Sequence, residues 1–383
     1  MARRGRDEGN IYQRADGRWE ARMSLGYDGG RRIRKCFYGR TRREVQERLT
    51  RALRDQQHGV VVNRDDRETV EHYLGRWLSD VVKPTVRPKT YATYEMVVRV
   101  HLIPGLGRLP LAKLSAADIQ QLMNSKLRGG LSPRTVLHIR AVLRRALNQA
   151  MRWDLVSRNV ASLVDSPRVP RYELRPLSPD EARRLLEATR SDRLGALYAV
   201  ALLTGLRQGE VLGLTWEDVD LDAGTITVRH ALQRVDGVYE LVEPKTRRSA
   251  RTIAIPRVAL AILRDHRSVQ LQDRLLQGSR WKGRGLVFTT ETGSPLDGTN
   301  VTHHLQLLLA RAGLPRQRFH DLRHACASLL LTQGVHPRVV MEMLGHSQIS
   351  LTMNTYSHVL PSLQRDAADK LDSLMRDEAK SVG

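Results

Sequence analysis

The sequence is poor in cysteine, in aromatic residues and in long apolar runs. Its two cysteines among 383 residues, Cys36 and Cys326, lie far apart and match neither a disulfide framework nor a cysteine-based zinc spacing, which favours a reducing cytoplasm. Aromatic residues make up 5% of the chain, too few for the base-stacking surfaces typical of single-strand binders. No stretch approaches the roughly 18 apolar residues of a membrane span, and the N-terminal MARRGRDEGN leads into no apolar signal-peptide core. We therefore expect a cytoplasmic protein without a membrane partner.

Positive charge is what the sequence has in excess. The 63 Lys and Arg residues against 41 Asp and Glu give a formal net charge of +22 and a pI near 10.8. This excess suits a polyanion, so DNA, RNA and an anionic membrane surface are candidate partners, against the alternative of a merely solvated charged surface. Because no membrane span is found, nucleic acid is favoured. The scarcity of aromatic residues then favours double-stranded DNA, contacted through its backbone phosphates.

The chain is long enough for two or three domains, and its patterning predicts three in a multidomain α+β fold. The first, residues 1–62, is predicted as a three-stranded sheet plus a helix. Asp16-Gly17 and Asp28-Gly29-Gly30 are expected hairpin connections, and residues 41–57 have helical composition. The basic charge of this small module suits DNA binding.

The second predicted domain, residues 66–166, is all helical. Apolar residues recur at helical spacing, and Ser132-Pro133 is a typical helix start. A charged outer face is common to soluble helices, but basic residues on these faces are also candidate DNA contacts. The candidates are Lys89, Lys126, Arg134 and Arg140.

The third predicted domain, residues 172–383, is mainly helical with one small antiparallel sheet. Two prolines interrupt the pattern before it at 165–170, and Ser178 with Glu181 forms a capping box at a helix start. Alternating patterns and the turn signal Asp236-Gly237 predict the sheet. Its expected strands are Thr225–Val228, Val238–Val242 and Arg251–Ile255.

Four short segments of the third domain carry residues suited to chemistry on a phosphodiester. They are Thr204-Gly205-Leu206-Arg207-Gln208-Gly209-Glu210, then Lys245 just after a predicted strand, then His320-Asp321-Leu322-Arg323-His324, and finally Leu344-Gly345-His346 followed ten residues later by Tyr356. In order, residue type and approximate spacing, this set resembles the tyrosine recombinase family in its phage-type integrase form. The resemblance covers roughly residues 177–360, and all six catalytic positions of the family pattern are filled.

The resemblance implies a site-specific DNA recombinase that integrates or excises a mobile element. It implies cutting of each strand to a 3′ phosphotyrosine, strand exchange through a four-way junction, and four protomers on two DNA sites. Two questions stay open: whether the protein is a monomer in solution, and whether accessory DNA-bending or directionality proteins take part. Residues 1–62 and 66–166 resemble, in shape and charge, the arm-type and core-site DNA-binding domains of such integrases. The substrate would place the enzyme at the nucleoid.

The chemistry itself requires particular residue types. Metal-free cleavage must stabilise extra negative charge as phosphorus becomes five-coordinate. Arg207 and Arg323 suit this because a guanidinium stays charged and its fork matches phosphate oxygens. Tyr356 is the expected nucleophile, and a phosphotyrosine stores the energy of the broken bond so that resealing needs no ATP.

The resemblance also assigns roles to the remaining residues. His320 would accept the phenol proton, and His346 would hydrogen-bond a non-bridging oxygen. Lys245 would protonate the departing 5′ oxygen, with its pKa lowered by neighbouring cations that include Arg251, although it could instead be one more phosphate contact. Other acidic residues are expected to orient these groups or to stabilise their helices. They are Glu210 and Asp321.

A metal site is the alternative for one of these segments. His320 and His324 lie four residues apart on one helical face, as zinc ligands often do. The sequence HDLRH falls short of the HExxH pattern because Asp321 stands where the longer Glu is needed and Arg323 would put a cation beside the ion. We therefore expect no metal and no cofactor.

Two other functions stay open at this point. A type IB topoisomerase shares the chemistry but relaxes supercoils as a monomer, and the two additional DNA-binding modules argue against it. A regulator that binds DNA without cutting it would be expected to have lost some of the six catalytic residues. The segment 361–380 has helical composition, and it could dock either on a neighbouring protomer or on its own domain.

Overall fold

The computed structural model describes residues 10–28, 31–57, 68–170, 175–243 and 250–345, with five further positions between 368 and 375. Residue contacts divide the chain into two units, Met1–Arg171 and Tyr172–Gly383, and the division falls at the linker expected near 165–170. The finer division into three domains stays a prediction. No helix within the described ranges is long and apolar enough to cross a membrane.

The N-terminal part is a small antiparallel sheet with one helix. Strands β1 (Asn10–Gln13), β2 (Trp19–Asp28) and β3 (Arg31–Gly39) pair in that order, and helix α1 (Arg42–Gln57) follows. The turn at Asp16-Gly17, with Gly17 at φ 79°, joins β1 to β2 as the sequence predicted. Its core is small, which is typical of a module this short. It consists of Ala21, Met23, Val45, Leu49 and Ala52.

The rest of the first unit is helical, as predicted, and has its own core. Its helices are α2 (Val70–Trp77), α3 (Lys83–Thr85), α4 (Pro88–Val97), α5 (Ile103–Leu106), α6 (Ala116–Arg128) and α7 (Pro133–Arg152). The predicted start of α7 is confirmed, because Ser132 caps it and Pro133 occupies its first turn. Helix α7 buries one apolar face along its whole length, which places it at the centre of this core.

Two π-helical turns interrupt the first helices of this bundle. Leu78–Val82 joins α2 to α3, and Val98–Leu102 joins α4 to α5. Each turn is followed, two residues later, by a proline, Pro84 or Pro104. Proline lacks the N–H of a helical residue and its ring clashes with the carbonyl four residues earlier, so the backbone widens just before it. The two helices thus continue past their prolines instead of ending there.

The second unit is mainly helical with short strands, which confirms the predicted fold class. Its helices are α8 (Pro179–Thr189), α9 (Gly195–Thr204), α10 (Gln208–Leu212), α11 (Arg257–Gln277), α12 (Gly298–Arg311), α13 (Phe319–Thr332) and α14 (Pro337–Leu344). Its strands are β4 (Val219–Asp220), β5 (Thr225–Val228), β6 (Ala231–Val235), β7 (Val238–Val242) and β8 (Arg251–Ala254). The capping box predicted at Ser178 and Glu181 is present at the start of α8.

The predicted strand pairing of this unit was wrong in one respect. The sequence indicated one sheet, whereas the described strands form two: β4, β5 and β8 in that order, and a separate β6–β7 hairpin. The reason is the turn at Asp236-Gly237, where both residues have positive φ, 49° and 84°. Such a two-residue turn pairs the strands that flank it directly, here Val235 with Val238, so β7 pairs with β6 and not with β5.

Helix α9 lies at the centre of the second unit. It is apolar on nearly every side and almost all of its residues are buried, with α8, α11 and α13 packed around it. The fully buried Tyr198 donates its hydroxyl to the Val301 carbonyl at 2.9 Å, and burial raises the pKa of this phenol. Tyr198 is therefore a structural residue of the core.

Candidate active site

The structure brings together three of the six predicted catalytic residues. Arg207 is the N-cap of α10, while His320 and Arg323 lie in the first turns of α13. Three further predicted residues lie outside the described residues: Lys245, His346 and Tyr356. Their flanks are described, since β7 ends three residues before Lys245, and Gly345, the C-cap of α14, lies directly before His346.

A glycine turn between α9 and α10 places Arg207. Gly205 caps the end of α9 in the left-handed conformation at φ 66°, which favours glycine. A Cβ at this position would also lie 2.5 Å from the Leu344 side chain, so the turn packs closely against α14. Any side chain at residue 205 would therefore disturb both the turn and the helix beside it.

The guanidinium of Arg207 is bound from two sides. Its Nη1 donates to Glu210 Oε1 at 2.7 Å, and its Nη2 donates to the Gly345 carbonyl at 3.0 Å. The backbone N–H of Arg207 also donates to Glu210 Oε2 at 2.9 Å. These side-chain bonds use two of the five N–H donors of the guanidinium, and the side chain is 37% exposed. Arg207 is thus oriented by the protein and still open to a ligand.

Glu210 is a buried carboxylate between two arginines. Arg251, from β8, pairs with it through Nη2 to Oε2 at 2.9 Å, and Arg207 pairs with it from the start of α10. Burial opposes ionisation of Glu210, but the hydrogen bond and charge of Arg251, with the charge of Arg207, hold its pKa below the ordinary value. Glu210 therefore contacts directly the arginine that it is expected to orient. The charge of Arg251, which the sequence places near Lys245, is paired with Glu210.

Arg323 is a buried cation, with a relative exposure of 2%. Its Nη1 donates to the Gly205 carbonyl at 2.8 Å and its Nη2 to the Leu344 carbonyl at 2.6 Å. Both acceptors belong to helix ends, whose last carbonyls carry partial negative charge and lack partners within their own helix. The contacts fix the guanidinium of Arg323 between the ends of α9 and α14, at the same end of α14 that Arg207 reaches.

The two histidines of α13 both have lowered pKa values, which favours their neutral forms. Partial loss of surrounding water and the charges of Arg323 and Arg207 lower the pKa of His320, although part of the residue still contacts solvent. Loss of water and the charge of His320 lower the pKa of His324 to about 4, and the two rings lie 5.0 Å apart edge to face. A neutral, exposed His320 is able to accept a proton.

Asp321 stabilises the start of helix α13 through its contacts with Arg318. It is fully buried, accepts the Arg318 backbone N–H at 2.7 Å and pairs with the Arg318 guanidinium at 2.8 Å. Over the part of the chain that the structure describes, no group of three or more His, Cys, Asp or Glu side chains is arranged to hold a metal ion. The zinc interpretation of HDLRH therefore gains no further ligand from the described residues.

Asp297 anchors the hairpin that leads to Lys245. It caps α12 through Oδ1, while Oδ2 accepts the Tyr239 hydroxyl at 3.0 Å and the Arg234 Nη1 at 3.1 Å. The Tyr239 hydrogen bond, with the cap bond from Thr299, lowers the pKa of Asp297 from 3.8 to about 2. Sequence analysis missed this anchor, because the turn, the strand and the helix start meet only in the folded chain.

Substitutions at Asp297 should separate its cap from its charge. Asparagine caps a helix as well as aspartate does, whereas alanine does not, so Asp297→Ala should lower the free energy of unfolding by about 1 kcal/mol more than Asp297→Asn. The charge stabilises the fold fully above the ordinary pKa of 3.8, and its contribution is lost as pH falls toward about 2. The difference between wild type and Asp297→Asn in urea unfolding should therefore be constant near neutral pH and shrink below about pH 4. If the difference in unfolding free energy grew at acidic pH, the stabilising role assigned to the Asp297 charge would be contradicted.

Comparisons with known proteins identify the family of the chain. The sequence pattern of the phage integrase family matches residues 175–362, and that of the phage integrase N-terminal SAM-like domain matches residues 69–127. A XerC-like tyrosine recombinase of Caldanaerobacter subterraneus subsp. tengcongensis is 32% identical, covering 92% of this chain and 95% of that one. An integrase of Streptomyces ambofaciens is 32% identical over 98% of both chains, and the ICEBs1 integrase of Bacillus subtilis is 26% identical over 96% of this chain and 100% of that one.

Solved structures share the fold at lower identity. The Tn1549 transposon integrase in complex with transposon right-end DNA matches with a TM-score of 0.68 and 23% identity, covering 79% of this chain and 99% of that one. The lambda integrase dimer bound to a core site matches with a TM-score of 0.58 and 19% identity, covering 93% and 96%. By its full-length relatives, its family match and its fold, the chain belongs to the phage integrase family of tyrosine recombinases and is a site-specific DNA recombinase.

Proposed function

We propose that this recombinase integrates or excises a mobile element by cutting and rejoining double-stranded DNA through a 3′ phosphotyrosine on Tyr356. One observation carries the proposal. Arg207 and Arg323, from different helices, both bind the end of α14, which lies directly before His346 and eleven residues before Tyr356. These contacts support the proposal because they hold both proposed phosphate-binding side chains at the residues from which the chain runs on to Tyr356.

The proposed chemistry begins with attack on phosphorus. The Tyr356 oxygen forms a bond to the scissile phosphorus, its proton passes to neutral His320, and the bond to the 5′ oxygen breaks. That oxygen takes a proton from Lys245 and leaves as a 5′ hydroxyl. Attack by a 5′ hydroxyl of the partner strand reverses these transfers, which reseals the backbone without ATP.

The arginines contribute charge where it develops. Arg207 offers its remaining N–H donors to a non-bridging oxygen, and Arg323 adds a fixed positive charge from a buried position, where water screens it little. His346 donates to the second non-bridging oxygen. Glu210 holds Arg207 in place, and Asp321 stabilises the start of the helix that carries His320 and Arg323.

We also propose how the chain meets DNA. Residues 1–62 bind arm-type sites, residues 66–166 bind the core site and residues 172–383 cut it, with four protomers on two synapsed duplexes at the nucleoid. The Tn1549 and lambda integrases were solved as DNA complexes, one of them a lambda integrase tetramer bound to a Holliday junction. Four basic side chains of the helical part are the proposed phosphate contacts, of which Lys89 and Arg134 are exposed and the other two partly buried. They are Lys89, Lys126, Arg134 and Arg140.

Two DNA substrates separate a recombinase from a topoisomerase. With duplexes that carry the element–host junction sequence, the protein should exchange strands between paired sites and yield joined products on a gel. On a supercoiled plasmid without that sequence, it should leave the superhelical density unchanged. Relaxation of the plasmid without exchange between the paired sites would instead support type IB topoisomerase activity, and neither reaction on the junction duplex would support a regulator.

A further inference from the structure

Three arginines bind three successive carbonyls at the end of α14. Arg251 Nε donates to the Met343 carbonyl at 2.7 Å, Arg323 Nη2 to Leu344 at 2.6 Å, and Arg207 Nη2 to Gly345 at 3.0 Å. The donors come from β8, α13 and the start of α10, which are far apart in sequence. We call this arrangement, the three arginines and the carbonyls of residues 343–345, the helix-end clamp.

Arg251 differs from the other two arginines because it belongs to none of the family motifs identified in the sequence. Its side chain is 7% exposed, and its fork binds Glu210 through Nη1 to Oε1 at 3.2 Å and Nη2 to Oε2 at 2.9 Å. Nε of the same guanidinium donates to the Met343 carbonyl. Arg251 therefore links the Glu210 carboxylate, which orients Arg207, to helix α14.

We propose that Arg251 is a positioning residue for strand cleavage. Arg251 binds Glu210, which in turn holds Arg207, and it also binds the end of α14. It thereby fixes the distance between Arg207 and the chain that continues from Gly345 toward the nucleophile. The inference rests on the proposed function, since it concerns the approach of Tyr356 to the phosphate that Arg207 binds. Arg251 itself does not contact the reacting atoms.

The packing around Gly345 supports this role. Gly345 ends α14 in the left-handed conformation at φ 67°, and a Cβ there would lie 3.1 Å from both Cδ and Nη1 of Arg251. The helix end is therefore in close contact with Arg251 and has no space to move toward it. Loss of the guanidinium would free the Met343 carbonyl and open space beside Gly345, and the following segment would no longer start from one fixed point.

Arginine is required at this position for a geometric reason. A lysine at residue 251 would keep a positive charge near Glu210, but its single ammonium cannot match both carboxylate oxygens and also reach the Met343 carbonyl. Arg251→Lys should thus retain most of the electrostatic stabilisation of Glu210 and lose the link to α14. Arg251→Met loses both, and it leaves the buried Glu210 less compensated.

The test is single-turnover formation of the covalent complex on a nicked suicide duplex that carries the element–host junction sequence. Arg251→Met should slow the rate constant about 100-fold, the loss that a misplacement of about 1 Å in a reacting group causes, with the duplex dissociation constant unchanged. Arg251→Lys should be about tenfold slower and remain folded at the assay temperature with a modestly lowered melting temperature, so it decides the question if the methionine variant does not fold. Partial unfolding would lower the amplitude of the reaction and not its rate constant.

Arg193 provides a matched control in the same unit. It also joins a carbonyl to a carboxylate, donating to Thr289 at 2.9 Å and lying 3.5 Å from Asp273, but it does not belong to the helix-end clamp. Arg193→Met should keep the wild-type rate constant. A wild-type rate in Arg251→Lys, or equal slowing in Arg193→Met, would overturn the inference. Absence of any complex with the wild-type protein would overturn the proposed function instead.

Discussion

Replacing Tyr356 with phenylalanine should abolish the covalent protein–DNA complex while leaving affinity for the junction duplex unchanged. The substitution removes one oxygen and keeps the ring, so packing and net charge are preserved, but no atom remains that can bond to phosphorus. The complex is measured on a denaturing gel after incubation with a nicked suicide duplex, and affinity is measured by fluorescence anisotropy.

Tyr198→Phe is the matched control for this substitution. It removes the same atom from a buried tyrosine whose hydroxyl bonds to the Val301 carbonyl and to His304 Nδ1, both at 2.9 Å. This control should form the covalent complex at the wild-type rate and lose about 1 kcal/mol of unfolding free energy, the net contribution of a buried hydrogen bond. Persistence of the complex in Tyr356→Phe would show that another residue attacks the DNA.

Replacing Arg207 with lysine should lower the rate of cleavage by about 100- to 1,000-fold, the effect of losing one fixed donor to the transition state. The lysine keeps a positive charge, so binding of the duplex should change little. It cannot, however, hold Glu210 and the Gly345 carbonyl while also presenting donors to a phosphate oxygen. Single-turnover rates at saturating duplex measure the loss.

Arg229→Lys provides the comparison for Arg207→Lys. Arg229 pairs with the buried Asp218 at 2.9 Å in the same unit, so the two substitutions change the same kind of ion pair. We expect a wild-type cleavage rate for Arg229→Lys. If Arg207→Lys cleaved as fast as Arg229→Lys, the guanidinium of Arg207 would have no part in stabilising the transition state.

The sequence predicted those features of the fold that depend on neighbouring residues. Helix starts at Ser132 and Ser178 follow from capping side chains within three residues, and the turn at Asp236-Gly237 follows from its own residue types. The pairing of the strands was harder to predict. The pattern of Ala231–Val235 was not recognised as a strand, so β7 was assigned to the wrong sheet, because pairing depends on which strand the turn brings back.

The candidate site was predicted in its residue types and not in its geometry. Motif order and spacing selected Arg207, His320 and Arg323, which the fold brings to one region. The role of Arg251 could not be read from sequence, because its partners Glu210 and Met343 lie 41 and 92 residues away. Its local signals were a place in an alternating strand and its nearness to Lys245 in the sequence, and neither indicates contacts over such separations, which are decided by tertiary packing.

The most direct test of the account identifies the residue that becomes attached to DNA. The covalent complex should be formed on the nicked suicide duplex in the presence of EDTA, digested with protease and nuclease, and analysed by mass spectrometry. We expect a phosphate adduct on the peptide that contains Tyr356, formed at the same rate with and without the chelator. Attachment at any other residue, or a complex that forms only when a divalent metal is restored, would contradict the central claim.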